Sequence, residues 1–129
     1  MDVTETLDAM RSELRGCSLV AFTDLGSKLV LCSSAAAKPA QEELDRLSEL
    51  AQVVLDGAVA EGAAPLLVHG GGDTRAGSVV LLSESEARVF LRAPGEVAEA
   101  LVCVCSPDVD LKKVMDCGQS TLATIVAAT

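Results

Sequence analysis

The chain has 129 residues, half of them hydrophobic, with Phe22 and Phe90 as its only aromatic residues, a net charge of −9 and a pI of about 4.4. This allows one domain, 1–129, with an aliphatic core that needs no disulfide staples. It argues against nucleic acid and anionic membranes as direct partners, since both repel such a charge, and against base stacking on aromatic side chains.

A helix is expected over residues 4–15, with Thr4 as cap, Leu7, Met10 and Leu14 as a narrow apolar stripe, and Gly16 as the stop. Residues 17–22 (CSLVAF) and 28–32 (KLVLC) read as a hairpin. The turn between them is Thr23-Asp24-Leu25-Gly26, in which Gly26 can take positive φ. A small-residue connector leads to the longest helix, residues 39–61. Its apolar residues Leu44, Leu47, Ala51, Val54 and Ala58 recur at a 3-4-3-4 spacing and form one stripe, which Leu50, Leu55 and Val59 widen. Pro39 suits the first helical position, and Glu42, Glu43 and Asp45 place acid at the positive end of the helix dipole. Gly57 and Gly62 are both plausible stops.

Beyond this helix, residues 66–68 read as a short strand or a packed loop, followed by the flexible run Gly70-Gly71-Gly72. Residues 77–82 (GSVVLL) and 87–92 (ARVFLR) form a second hairpin around the polar turn SESE, with Arg88, Phe90 and Arg92 on one face and Val89 and Leu91 on the other. Pro94-Gly95 breaks the chain. Residues 100–105 (ALVCVC) are apolar on both faces, the signature of a central strand covered on two sides. Ser106 as cap and Pro107 at the first position start a last helix, whose inner face is Leu111, Val114, Met115, Gly118, Leu122 and Ile125. The order α-β-β-α-β-β-β-α fits an α/β (α+β) fold, a mostly antiparallel five-stranded sheet with helices on both faces.

Motifs that could carry chemistry have simpler explanations. His69-Gly70-Gly71-Gly72 is like the oxyanion loop of some hydrolases, yet no G-x-S-x-G and no second histidine accompany it. No phosphate-binding glycine motif is complete. Cys17, Cys32, Cys103, Cys105 and Cys117 show no C-x-x-C spacing and read as small buried hydrophobes in a reducing compartment. Glu42-Glu43 and Asp108/Asp110 sit at helix starts, where acids favour the dipole. Lys112-Lys113 and Arg88/Arg92 read as solvated surface. No catalytic group, metal or cofactor is expected. The charged N-terminus lacks an apolar signal region and no run approaches the ~18 residues of a membrane span, so the expected location is the cytoplasm.

This order of elements resembles the roadblock / dynein light-chain family, within the wider profilin-like and longin-like group. The resemblance runs from about Thr4 to Ile125. It is carried by the LRGCSLVAFTDLGSKLVLCS hairpin, the long amphipathic helix, the GSVVLLSESEARVFLR hairpin and the closing LVCVCSPDVDLKKVMDCGQSTL strand–helix pair, none of them an invariant motif. The resemblance implies a non-enzymatic dimeric module, regulatory or scaffolding, that acts beside a small Ras-like GTPase or in a motor or signalling complex. Members commonly join their third strands edge to edge and pack their second helices together. On this chain that puts Ser78, Val79, Val80 and Leu81 at the pairing edge and Leu44, Leu47, Ala51, Val54 and Ala58 near the helix seam. The glycine-rich stretch 63–75 is longer than that pattern expects. The residues alone also favour a homodimer, since SVVLL has no Lys or Pro to guard an exposed edge. Glu42, Glu43, Asp45 and Glu49 are the candidate partner surface. The alternative is a small-molecule-sensing profilin-like or PAS/GAF-like domain, which needs a cavity between sheet and helix.

Overall fold

The computed structural model describes residues 3–56, 66–69, 77–94 and 98–128. The expectations for Gly57, Ala58, Val59, Gly62, the run Gly70-Gly71-Gly72 and Gly95 lie outside the described residues. In chain order the elements are α1 (Val3–Glu13), β1 (Cys17–Asp24), β2 (Leu29–Ala35), α2 (Gln41–Asp56), β3 (Leu66–His69), β4 (Ser78–Leu82), β5 (Ala87–Arg92), β6 (Glu99–Cys105) and α3 (Leu111–Ala128). All five expected strands are present, and the segment left open as strand or loop is a short sixth, β3. The strands form one sheet in the order β2-β1-β6-β5-β4-β3, with every neighbouring pair antiparallel.

The doubly apolar strand β6 lies inside the sheet, between β1 and β5. Its alternation feeds two cores. Leu101, Cys103 and Cys105 pack with Leu7, Met10 and Leu14 of α1 and Val114, Leu122 and Ile125 of α3. Ala100, Val102 and Val104 pack with Leu47, Ala51, Val54 and Leu55 of α2. β5 divides as its sequence indicates, with Phe90 in the α2 layer and Val89 and Leu91 in the α1/α3 layer. Each fully buried Leu, Val or Phe contributes roughly 1.5–3 kcal/mol, so an aliphatic interior supports the fold.

Close approach of α3 to the sheet depends on Gly118, where a Cβ would overlap Leu91 Cδ1 and come within 3.5 Å of Met10 Cε. Gly16 has φ of 83° and its missing Cβ leaves room for Ser106 Oγ.

The caps and turns differ from the expectations in four places. Thr4, expected as a cap, lies inside α1. Pro39 lies outside α2, which begins at Gln41 with Glu43 and Leu44 donating to the Ala40 carbonyl. The last helix starts at Leu111, not after Ser106; Asp110 caps it, accepting from Lys113 N on Oδ1 (3.2 Å) and from Val114 N on its carbonyl (3.0 Å). In the first hairpin the left-handed residue is Lys28, with φ of 59°, rather than Gly26. Asp24 stabilises that turn: its carbonyl accepts from Lys28 N and its carboxylate accepts from Gly26 N and Ser27 Oγ.

Candidate interaction surface

α2 is the only described helix on its face of the sheet, and buried polar contacts fix its orientation. Thr23 Oγ1 of β1 donates to the Leu29 carbonyl at 3.0 Å. Its one proton is thereby used, so the 2.7 Å contact with Ser48 Oγ of α2 has Ser48 as donor. Both side chains are fully buried. Near the C-terminus of α2, Arg92 Nη2 donates to the Leu55 carbonyl at 2.5 Å. That charge-assisted bond satisfies one of the last carbonyls of the helix, which have no partner within it.

With the helix held at its middle and near its C-terminus, its outward residues form a defined surface. Glu42, Glu43, Asp45 and Glu49 are all exposed, so the structure brings the predicted partner surface together on the solvent side. Arg46, Leu50 and Val53 follow at i, i+4 and i+7 along one flank. Leu50 is half-buried and Val53 is 41% exposed. The flank meets the sheet at a cleft of about 510 Å³, lined by Glu43, Arg46, Leu47, Leu50, Glu86, Arg88 and Val104. Arg88 pairs with Glu86 at 3.1 Å, both side chains well exposed, so the pair adds little stability. Leu81 of β4 lies directly across from Arg88 and is half-buried.

The residues assigned to a dimer interface lie elsewhere. Leu47, Ala51 and Val54 are buried against the chain's own sheet, and Leu44 is half-buried in the same layer. Ser78, Val79 and Val80 are buried as well, and β4 is not an edge, because β3 pairs along it with Leu66 opposite Leu81 and His69 opposite Ser78. The edge expectation fails because four residues, LLVH, form a covering strand that the sequence left open. The most regular stripe of α2 is the one its own sheet covers, so in the single chain Leu47, Ala51 and Val54 are turned inward, while Ala58 lies outside the described residues. Sequence reasoning missed the Arg46–Leu50–Val53 flank, although Leu50 already widened the apolar stripe. It also missed the exposed Leu29 and Leu31 of the edge strand β2.

All five cysteines are free and share the α1/α3 layer: Cys17, Cys103 and Cys105 within it, Cys32 and Cys117 packed against it. Among the described residues, no group of three or more His, Cys, Asp or Glu could hold a metal ion. No described helix is long and apolar enough to cross a membrane.

No protein-family model matches the chain, and no curated protein matches it. Solved structures do. A roadblock/LC7 domain from Streptomyces avermitilis superposes with a TM-score of 0.74 at 14% identity, over 99% of this chain and 98% of that one. MglB in a tetrameric arrangement gives 0.69 at 25% identity, over 93% and 82%. MglC from Myxococcus xanthus gives 0.65 at 13% identity, over the full length of both chains.

Proposed function

We propose that this chain, whose fold is the roadblock fold, is a non-enzymatic dimeric module that regulates or scaffolds a partner protein, with a small Ras-like GTPase as the partner class. The observation that carries the reading is the outer surface of α2. An acidic face of Glu42, Asp45 and Glu49 runs beside a flank of Arg46, Leu50 and Val53 that continues over the cleft to Leu81 of β4. A second copy related by a two-fold axis meets the same flank with the same residues, as an isologous interface requires. This replaces the buried stripe as the seam and leaves the acidic face for the partner. The solved MglB in a tetrameric arrangement shows that a chain of this fold can assemble with itself.

A sensing domain would need an enclosed space between sheet and helix. Among the described residues Phe90 and Leu55 fill one layer and Leu91, Leu101 and Leu122 the other, all at most 1% exposed, and the cleft of about 610 Å³ between α3 and the sheet, beside Ser78, Arg92 and Met115, is open to solvent and not enclosed. The test uses the folded chain as bait for proteins of its source cell, together with its Glu43→Lys/Glu49→Lys variant. A Ras-like GTPase recovered by the parent and lost with the variant supports the reading. Equal recovery by both overturns the acidic face as the partner surface. A parent that is monomeric at micromolar concentration overturns the dimer, and a metabolite that raises the melting temperature at micromolar concentration favours sensing instead.

A further inference from the structure

Cys17 is the first residue of β1 and Cys105 the last of β6, and the two are Cα partners in the antiparallel register, beside a shift between Cys17 and Leu19 that leaves Ser18 as an extra residue. Opposed antiparallel residues have Cα atoms about 4.5–5.5 Å apart, inside the ~4.4–6.8 Å span that a disulfide needs. Both side chains pack in the same layer, where Cys17 Sγ donates to the Leu19 carbonyl at 3.6 Å. The main chain continues the contact, with Ser106 N donating to the Gly16 carbonyl at 2.8 Å. Gly16 and Ser106, the next residues along each strand, line an open cleft of about 490 Å³ together with Arg15, Asp108, Asp110 and Lys113. The pair therefore lies one residue beneath solvent.

We propose that Cys17 and Cys105 form a reversible dithiol–disulfide pair that a peroxide oxidises and that clamps the end of the sheet where α1 joins β1 and β6 leads to α3. Cys17 is the more accessible of the two, at 8% against 2%. The adjoining Cys105 thiol holds the Cys17 thiol below its ordinary range against the opposing effect of burial, with help from the Leu19 main chain and Arg11. The same contact, together with burial, raises Cys105 and keeps its proton on. Cys17 is thus the attacking sulfur and Cys105 the resolving one.

In the first step Cys17 Sγ attacks one oxygen of the peroxide, the O–O bond breaks, and the second oxygen leaves as water carrying the Cys17 proton. Cys17 is then a sulfenic acid. In the second step Cys105 Sγ attacks Cys17 Sγ. The S–S bond forms, the S–O bond breaks, and a second water leaves with the Cys105 proton. Two thiols lose two electrons and one hydrogen peroxide becomes two waters. A thiol reductant reverses the change by exchange.

Cys103 lies two residues along β6 in the same layer. Burial, aided by the neighbouring Cys17 and Cys117, raises its thiol strongly, so it stays protonated and takes no part.

The test treats the folded full-length chain with hydrogen peroxide, blocks remaining thiols with iodoacetamide under denaturing conditions, and maps peptides by mass spectrometry. The expected result is a peptide pair joined through Cys17 and Cys105, absent after dithiothreitol. Cys103→Ala leaves the link in place and Cys105→Ala removes it. The long loop closed by the link raises the melting temperature of the oxidised protein by on the order of 10 °C. The proposal is overturned if Cys17 and Cys105 are both still alkylated, under the denaturing block, after the folded protein has been treated with peroxide. It is also overturned if the link forms equally fast in protein unfolded by urea, since the folded register would then contribute nothing. The mapping on the parent chain needs no variant to fold.

Discussion

Replacing Leu50 and Val53 together by Glu separates the outer flank of α2 from its inner stripe. Both side chains stand partly in solvent, Val53 at 41%, while Leu47, one turn away and turned to the sheet, is 4% exposed. In a two-fold dimer each replacement occurs twice, so four apolar side chains leave the interface at about 1 kcal/mol each. The loss is roughly 3–4 kcal/mol of association, on the order of a 10²–10³-fold weaker dimer. Four new negative charges, added to two chains that each carry −9, push in the same direction. Folding of the single chain should change by less, about 1 kcal/mol, since Val53 is exposed and only half-buried Leu50 packs against the α2 layer. Leu47→Ala should do the reverse. It opens a cavity in the α2 layer at a cost of about 2–4 kcal/mol, which lowers the melting temperature by roughly 7–15 °C for a chain of this length, with no direct effect on association. Sedimentation equilibrium over a range of concentrations and thermal melts read the two quantities separately. A double variant that dimerises as tightly as the parent refutes the flank as the seam. An unchanged melt for Leu47→Ala refutes the inward placement of the stripe.

Other substitutions test the supports of the fold. Gly118→Ala gains helix propensity of about 1 kcal/mol but drives a methyl into Leu91, so circular dichroism should show melting lowered by roughly 4–7 °C; a rise would mean that α3 stands further from the sheet. Ser48→Ala removes the donor to the buried Thr23 oxygen and should cost about 1–2 kcal/mol in urea unfolding. Asp110→Ala removes the cap of α3 and should cost about 1 kcal/mol by the same measurement, whereas Ser106→Ala should leave the start of α3 capped. Cys117 is raised above its ordinary range by burial and then by the nearby Glu13 carboxylate, which accepts its S–H at 3.8 Å. At pH 8 less of it is thiolate, so iodoacetamide should modify it more slowly than a free cysteine, and Glu13→Gln should speed the reaction.

The elements that could be read from sequence are those whose burial is written in period. ALVCVC announced an interior strand because both of its faces are apolar, and ARVFLR assigned Phe90 and Leu91 to opposite layers by alternation alone. The stripe of α2 was equally plain, but periodicity says which residues share a face and not what covers them. Leu47 and Ala51 were therefore open to a second copy until the sheet was seen to occupy them. Strand β3 was ambiguous because four residues carry too little alternation to separate strand from loop. The cap of α3 was misplaced because Ser106-Pro107 and Asp110 both carry starting signals within one turn. The choice was settled by Ser106, which instead donates to Asp108 and accepts from Val109 N in the preceding turn. The opposition of Cys17 and Cys105 depends on pairing between strands far apart in the chain, which no local pattern encodes.

The two ends of the sheet are not equivalent. At the β2 end the pairing with β1 shifts register after Phe22, so Leu31 stands as an extra residue and its side chain is half in solvent. A bulge of this kind coils the outer strand and interrupts the ladder that an incoming strand would have to match. Growth of the sheet is thereby discouraged at one terminus. At the other terminus the outermost described strand, β3, has only four residues, too few to template a long ladder. With one terminus bulged and the other short, the apolar edge residues Leu29 and Leu31 can stay at the surface without seeding a fibre.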